Sequence, residues 1–231
     1  MLPFILYNFE LSSYCNAGCP SCFRTSLLDG EKYSMNQSSY MKKLKHLSID
    51  DFQYMLLNNI EFFKKRKYEQ VVAKFCGEVG DPMMHPQLDQ LIGIASTVFD
   101  KVEIFTNGGL RNSNWIKKML IKYKKLFFIF GIDGVTDEVN QKYRVNVRTD
   151  IAFENMIQSA KLRFTKWDFT IFEHNWHQLQ DAIDLASDHK IYILARVNGR
   201  AYSKISDQNL IEVEEILKKN KTNYYLCKTD K

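Results

Sequence analysis

Three cysteines, Cys15, Cys19 and Cys22, stand in one short run with the spacing C-x3-C-x2-C. Thiolates bind metals and attack electrophiles, and three thiols this close cannot all pair with one another as disulfides. A zinc site would draw a fourth ligand from a second Cys or His pair, but the other cysteines, Cys76 and Cys227, are isolated. A four-iron cluster normally takes four cysteines; three leave one iron open to a ligand that is not protein. Another metal site or a redox thiol is the competing reading. Clustered cysteines suit a reducing compartment better than an extracellular disulfide framework.

Elements must hold these thiols against something. Short apolar runs alternate with segments of helical period along the chain. Strands are expected at Ile5 to Leu11, Val71 to Phe75, Val102 to Phe105, Phe127 to Phe130, Trp167 to Phe172 and Ile191 to Leu194. Between them lie helical faces such as Leu88, Leu91, Ile92 and Ala95, or Leu179, Ala182, Ile183 and Ala186. Phe52, Met55, Leu56 and Ile60 make another face, after Ser48 as a plausible N-cap. Six β/α units in order demand a parallel sheet, and they fall short of the eight that close a full β/α barrel. The predicted fold is α/β: a partial (β/α)6 TIM-like barrel with a parallel, laterally open sheet, or else a doubly wound sheet.

Either way, chemistry collects where strands run into the following loops. The polar and glycine-rich clusters fall there. The cysteine run follows strand one; Gly77-Glu78-Val79-Gly80-Asp81-Pro82 follows strand two; Asn107-Gly108-Gly109 follows strand three. Asp133-Gly134, Glu173-His174-Asn175 and Asn198-Gly199-Arg200 follow strands four to six. Turn chemistry accounts for any one of these, but poorly for all six, because Asp100-Lys101 and His189-Lys190 on the opposite rim are bland.

The cysteine spacing resembles the signature of the radical S-adenosylmethionine (radical SAM) enzymes, and the resemblance runs from about Leu6 to about Arg200. It implies one 4Fe–4S cluster on Cys15, Cys19 and Cys22, with the amino and carboxylate groups of SAM on the fourth iron. Reductive cleavage of SAM then yields a 5′-deoxyadenosyl radical that abstracts a substrate hydrogen. The family fold is a partial (β/α)6 barrel with the cluster loop after strand one. The wording of the motifs resembles the core of SPASM-type maturases, which act on peptides or proteins. Ser21 replaces the aromatic residue common before the third cysteine, so Phe23 or Tyr14 is expected to shield the cluster.

The resemblance also implies roles for SAM contacts. The SAM ammonium needs carbonyls and an acid, which the loop of Gly77 and Gly80 offers with Asp81 or, one turn earlier, Glu78; Asp81 is favoured. Arg144 resembles the arginine that takes the carboxylate, with a surface ion pair as its alternative. Asn107 or Asp133 would accept from the ribose, although Asn107 could simply cap a turn. Asn175 would face the SAM pocket or cap the next helix. Residues near Asn198 and Tyr202, or in the cluster loop, would cover the adenine. Cys76 is expected to be an inert core thiol, and His85, His174 and His177 are not spaced as a metal set.

Composition closes off other classes. The chain has 231 residues, 45% hydrophobic and 26% charged, with Gly 10, Pro 4 and Cys 5. These values exclude a disordered, collagen-like or disulfide-scaffold chain. No run approaches the roughly 20 apolar residues of a membrane span, and Met1 to Tyr7 lacks the basic flank of a signal peptide, so a cytoplasmic protein is expected. The net charge of +5 comes in knots such as Lys64-Lys65-Arg66-Lys67. These read as solvated helix faces, with contact to a nucleic acid such as tRNA as the alternative. One domain over residues 1–231 is expected, the barrel over about 1–200, then a last helix and tail over 201–231. With so short a tail an auxiliary cluster is not expected, unless a partner supplies ligands or the polypeptide has been shortened, and Tyr224-Tyr225-Leu226 is expected to brace the barrel edge. The anticipated partners are a flavodoxin- or ferredoxin-type electron donor and a peptide, protein or small-molecule substrate. The open side would admit a large substrate unless the segment from Thr25 to His46 folds over it as a lid. A non-catalytic iron–sulfur module is a further alternative.

Overall fold

The computed structural model describes residues 2–28, 44–64, 68–77, 79–199 and 202–226. Glu78, Arg200, Cys227 and most of the expected lid segment lie outside the described residues. The chain forms β1 (Leu2–Phe9), α1 (Phe23–Leu28), α2 (Ile49–Lys64), β2 (Tyr68–Phe75), α3 (Leu88–Val98), β3 (Lys101–Thr106), α4 (Ser113–Lys122) and β4 (Leu126–Gly131). It continues with α5 (Asp137–Gln141), α6 (Thr149–Ala160), β5 (Lys166–Ile171), α7 (Leu179–Asp188), β6 (Tyr192–Val197), α8 (Asp207–Lys219) and β7 (Asn223–Leu226).

The strands make a single sheet in chain order β1 to β7, and every adjacent pair is parallel. Among the described residues β1 and β7 remain the two edges, so the barrel is laterally open. The six expected β/α units are all present. The seventh strand pairs with β6 from Leu194↔Asn223 to Val197↔Leu226, so the anticipated brace is a true parallel strand. The first strand ends at Phe9, two residues earlier than expected. Leu11 is fully buried and turns instead to accept from the Leu47 N–H, while Ser12 bridges His46. This early exit frees the chain for the cysteine loop.

Period-two burial shows how the sheet is anchored. On β5 and β6 buried residues alternate with half-buried ones. Trp167, Phe169, Ile171, Ile193, Ala195 and Val197 join the core under the helices, and the alternate positions face the concave side. The helices supply the other half of that core through Leu88, Leu91, Ile92 and Ala95 on α3 and Leu179, Ala182, Ile183 and Ala186 on α7. Met55 leaves the expected α2 face, being 36% exposed while Phe52 and Leu56 are buried. Helix starts follow capping chemistry. Ser48 Oγ accepts from Asp51 N, Asn112 Oδ1 from Trp115 N, and Ser206 Oγ from Asn209 N. No described helix is long and apolar enough to cross a membrane.

Candidate active site at the carboxyl rim of the sheet

A cavity of about 210 Å³ opens at the carboxyl ends of the strands. Cys15, Cys19 and Cys22 line it together with Gly77, Gly80 and Asp81 after β2, Asn107 after β3, and Arg144. The sequence separates these groups by more than a hundred residues; the parallel sheet order brings them to one rim.

The cysteine loop is shaped by its own backbone and by its neighbours. Ala17 N–H points at Cys15 Sγ at 3.4 Å, and Cys22 N–H donates to Cys19 O at 3.0 Å. Gly18 N–H donates to Val145 O, tying the loop to the segment that carries Arg144. Cys19 packs in a small apolar cluster with Ala17, Tyr143, Val147 and Phe172, and Cys15 and Cys22 lie against the same group. Of the expected shields, Phe23 is 48% exposed and the Tyr14 ring lies tilted against His46 at 4.8 Å between centroids. Tyr143, Val147 and Phe172 give the cysteines apolar cover, and the sequence distributes them over two distant loops.

Burial pushes the Cys15 thiol up to about 12, with Asp81 adding to the shift, and burial likewise raises Cys19 against the lowering pull of Arg144. Thiols in this state ionise only when a positive centre replaces the proton. Among the described residues no three Cys, His, Asp or Glu groups converge on a single ion. Three thiols spread along one cavity wall suit separate corners of a polynuclear cluster, so the donor set fits the group the sequence implies.

The glycine-rich loop sits so close to the cysteine loop that side chains are excluded. A Cβ on Gly80 would lie 1.8 Å from Ser12 O, and one on Gly77 would lie 2.0 Å from Gly80 O. Asp81 N–H donates to Tyr14 O at 2.8 Å, completing the junction. Asp81 itself is 4% exposed. Its carboxylate accepts from Met83 N, Asn107 N and the Thr106 hydroxyl at 2.8–3.0 Å. Burial raises its pKa and these donors counter the shift. Asp81 thus locks the exits of β2 and β3 together.

Asn107 uses its side chain in both directions. Nδ2 donates to Asn16 Oδ1 at 2.8 Å and Oδ1 accepts from Gly109 N at 3.0 Å. Asp133 is fully buried, does not line the cavity, and binds Arg144 Nε at 2.6 Å and Thr170 N at 2.7 Å. Arg144 is thus held by a buried counter-ion, with Nη1 reaching 4.0 Å from Cys19 Sγ. Asn175 occupies the cap position of the short turn Trp176–Gln178, but its side chain caps nothing there. Nδ2 donates to Asp133 O and Thr170 O, and Oδ1 accepts from Phe172 N. It fastens the exits of β4 and β5 behind the cavity wall. Asn198 donates to Tyr202 O, and Tyr202 stands 5.8 Å from the Tyr143 ring.

The inner wall includes residues that sequence reasoning passed over: Phe105, Ile129, Gly131 and Asp168, with Cys76 beside them. Cys76 follows β2 directly and is half-buried on the cavity rather than in the core, its thiol raised mainly by burial. Gly131 leaves room for the Arg144 guanidinium, since a Cβ there would meet Nη2 at 2.7 Å. Asp168 pairs with Arg196 Nε at 2.6 Å. Charged residues placed inside strand runs on the concave period were the available signal. Of the histidines, His85 is a buried strut bonded to Leu47 O at 2.8 Å, and His174 stacks on Phe172.

No protein-family model matches the chain. The 7,8-dihydro-6-hydroxymethylpterin dimethyltransferase of Methanocaldococcus jannaschii is 29% identical over 137 residues, 58% of this chain and 23% of that protein. SuiB of Streptococcus suis, bound to S-adenosylmethionine, superposes with a TM-score of 0.67 at 15% identity over 97% of this chain and 50% of SuiB. SuiB bound to its precursor peptide SuiA gives the same TM-score. A radical SAM methyltransferase from Sphaerobacter thermophilus gives 0.62 at 11% identity, over 96% of this chain and 65% of that one. The chain shares the fold of these structures, and it spans about half the length of SuiB and under a quarter of the curated relative.

Proposed function

We propose that the protein is a radical SAM enzyme holding one 4Fe–4S cluster on Cys15, Cys19 and Cys22. The observation that carries this reading is the meeting of these cysteines, the Gly77–Gly80 loop and Arg144 on one cavity wall. When bound, the cluster and SAM supply one-electron reductive cleavage of the sulfonium, ending in abstraction of a hydrogen atom from the substrate.

The chain's own residues bind, orient and exclude water. The glycine loop presents backbone close to the cysteines, where only an unsubstituted Cα fits. The Asp81 carboxylate holds that loop against β3 and lies on the cavity wall, where it or Glu78 would meet the SAM ammonium. Asn107 offers a short polar group to the ribose, and the Asn198–Tyr202 segment an edge to the adenine. Asp133 and Asn175 act from behind the wall, as positioning residues for Arg144 and for the strand exits. Tyr143, Val147 and Phe172 keep water from the thiols.

The substrate we propose is a peptide or protein. Its support is the likeness to SuiB, a structure of which holds a precursor peptide, together with the lateral opening between β1 and β7. A small molecule is the second reading, favoured by the pterin dimethyltransferase likeness. The electron source would be a flavodoxin- or ferredoxin-type protein, and the free thiols suit a reducing cytoplasm.

Anaerobic reconstitution tests the proposal. About four irons per chain and formation of 5′-deoxyadenosine from SAM on reduction are expected. Replacing Cys15, Cys19 and Cys22 together by Ala should abolish both, and Cys76→Ala should leave the iron in place. Zinc bound in place of iron would sink the reading. Iron bound without SAM cleavage would leave a non-catalytic iron–sulfur module.

A further inference from the structure

Two arginines line the cavity, and their circumstances differ. Arg144 is paired with Asp133, which has no exposed surface. Arg24, in the first turn of α1, makes no ion pair among the described residues, and its Nε is buried with no acceptor. A buried guanidinium N–H without an acceptor costs on the order of 1–3 kcal/mol or more. It is retained where something bound supplies the missing partner.

We propose that Arg24 is the counter-charge of the iron–sulfur cluster, donating from Nε to a cluster sulfur and raising the reduction potential. Arg24 shares the cavity wall with Cys15 and Cys22. Three thiolates on a four-iron core leave a net negative charge, which one-electron reduction makes more negative. A fixed cation nearby stabilises the reduced form more than the oxidised form. Hydrogen bonds to cluster sulfurs shift the potential in the same direction. Arg144 contributes less, because Asp133 cancels its charge at short range. The inference rests on the cluster reading above, and it assigns Arg24, which has no ion pair among the described residues, to electron transfer rather than to substrate.

The experiment is a redox titration of the reconstituted protein with dithionite, without SAM, followed by electron paramagnetic resonance. Arg24→Gln should shift the midpoint to more negative potential with the iron content unchanged. Arg24→Lys keeps the charge but loses the fixed Nε donor, so its midpoint should fall between. Arg148→Gln, at an exposed arginine paired with Asp150, should match wild type. A midpoint unchanged in Arg24→Gln overturns the inference. So does weakened SAM binding by calorimetry at unchanged potential, which would assign Arg24 to the SAM carboxylate. If Arg24→Gln does not fold, Arg24→Lys decides, and a midpoint equal to wild type overturns the proposal. Failure of the wild type to assemble any cluster defeats the parent reading instead.

Discussion

Arg144 Nε donates to Asp133 Oδ2 across 2.6 Å, and the other oxygen of that carboxylate takes the Thr170 N–H at 2.7 Å. One buried acid therefore joins the exit of β4, the carboxyl end of β5 and the arginine that reaches toward Cys19. Neither residue is useful alone. Without Asp133 the half-buried guanidinium would lose its counter-ion at the cavity wall, and without Arg144 the carboxylate would be a fully buried charge.

Asp133→Asn tests that dependence. The amide oxygen can still accept from Thr170, while the amide nitrogen in the place of Oδ2 cannot accept from Arg144 Nε, so the charge and that bond are lost together. Leaving one member of a buried pair uncompensated typically costs about 3–5 kcal/mol. Urea unfolding of the metal-free protein should show a drop of that order. A loss below about 1 kcal/mol would mean that solvent reaches Arg144 and that the pair behaves as a surface bridge.

Gly80→Ala tests the junction between the cysteine loop and the glycine loop. The new Cβ would be placed 1.8 Å from Ser12 O, a backbone atom, so the two loops must separate. Overpacking of this kind costs about 1–3 kcal/mol and occasionally more. SAM affinity and cluster retention should fall with stability. Gly93→Ala on α3 is the control, since its nearest neighbour is the Tyr123 hydroxyl at 3.1 Å. Equal melting temperatures for the two variants would refute the close approach.

Much of this arrangement was legible in the sequence, for definite reasons. Parallel strands buried under helices read as apolar runs, so β2 to β6 were found, and the loops after them carried the cavity residues. What the sequence concealed was direction. Asp133 and Asn175 stand in the right loops, but their side chains turn behind the wall, because Arg144, Thr170 and Phe172 offer them partners there. Asp168 and Phe105 were hidden inside strand runs, where only the concave period separates a cavity residue from a core one. The shielding aromatics, Tyr143 and Phe172, come from loops too distant in sequence for spacing to reveal.

Asp81→Ala should weaken SAM binding and stability together. Its carboxylate holds Met83 N, Asn107 N and Thr106, so truncation strands buried donors, at about 1–3 kcal/mol for each left unsatisfied. Loss of a charge-assisted contact to the ammonium would add roughly ten- to a hundredfold in affinity. Asp81→Asn removes the charge but keeps one of the Met83 and Asn107 bonds, which end on different oxygens, so it should cost less stability than Asp81→Ala for the same loss of charge. Calorimetry of SAM binding to the reconstituted protein is the measurement. If Glu78→Ala weakens SAM more than Asp81→Asn does, the ammonium belongs to Glu78 and Asp81 is purely a strut.

Acid sensitivity should trace in part to His85. Burial lowers its pKa below the ordinary 6.5, with His46 and Arg111 opposing a second positive charge, while its bond to Leu47 O pulls the other way. Nδ1 accepts from Gln87 N at 3.1 Å, a bond the protonated ring cannot keep. His85 is therefore neutral when folded, and the unfolded chain binds the proton more readily. Stability is full above about pH 6.5 and is lost as pH falls through 6.5 toward the depressed folded value. His46 and His174 are lowered by burial too and add to the same slope. His85→Gln can keep the donor to Leu47 O but has no titrating group. It should be less stable than wild type at pH 7.5, and the gap should narrow by pH 5.5 as the wild type loses its advantage. Urea midpoints at the two pH values decide it: parallel losses in both proteins would show that His85 stays neutral in the unfolded chain as well, or is charged in the fold.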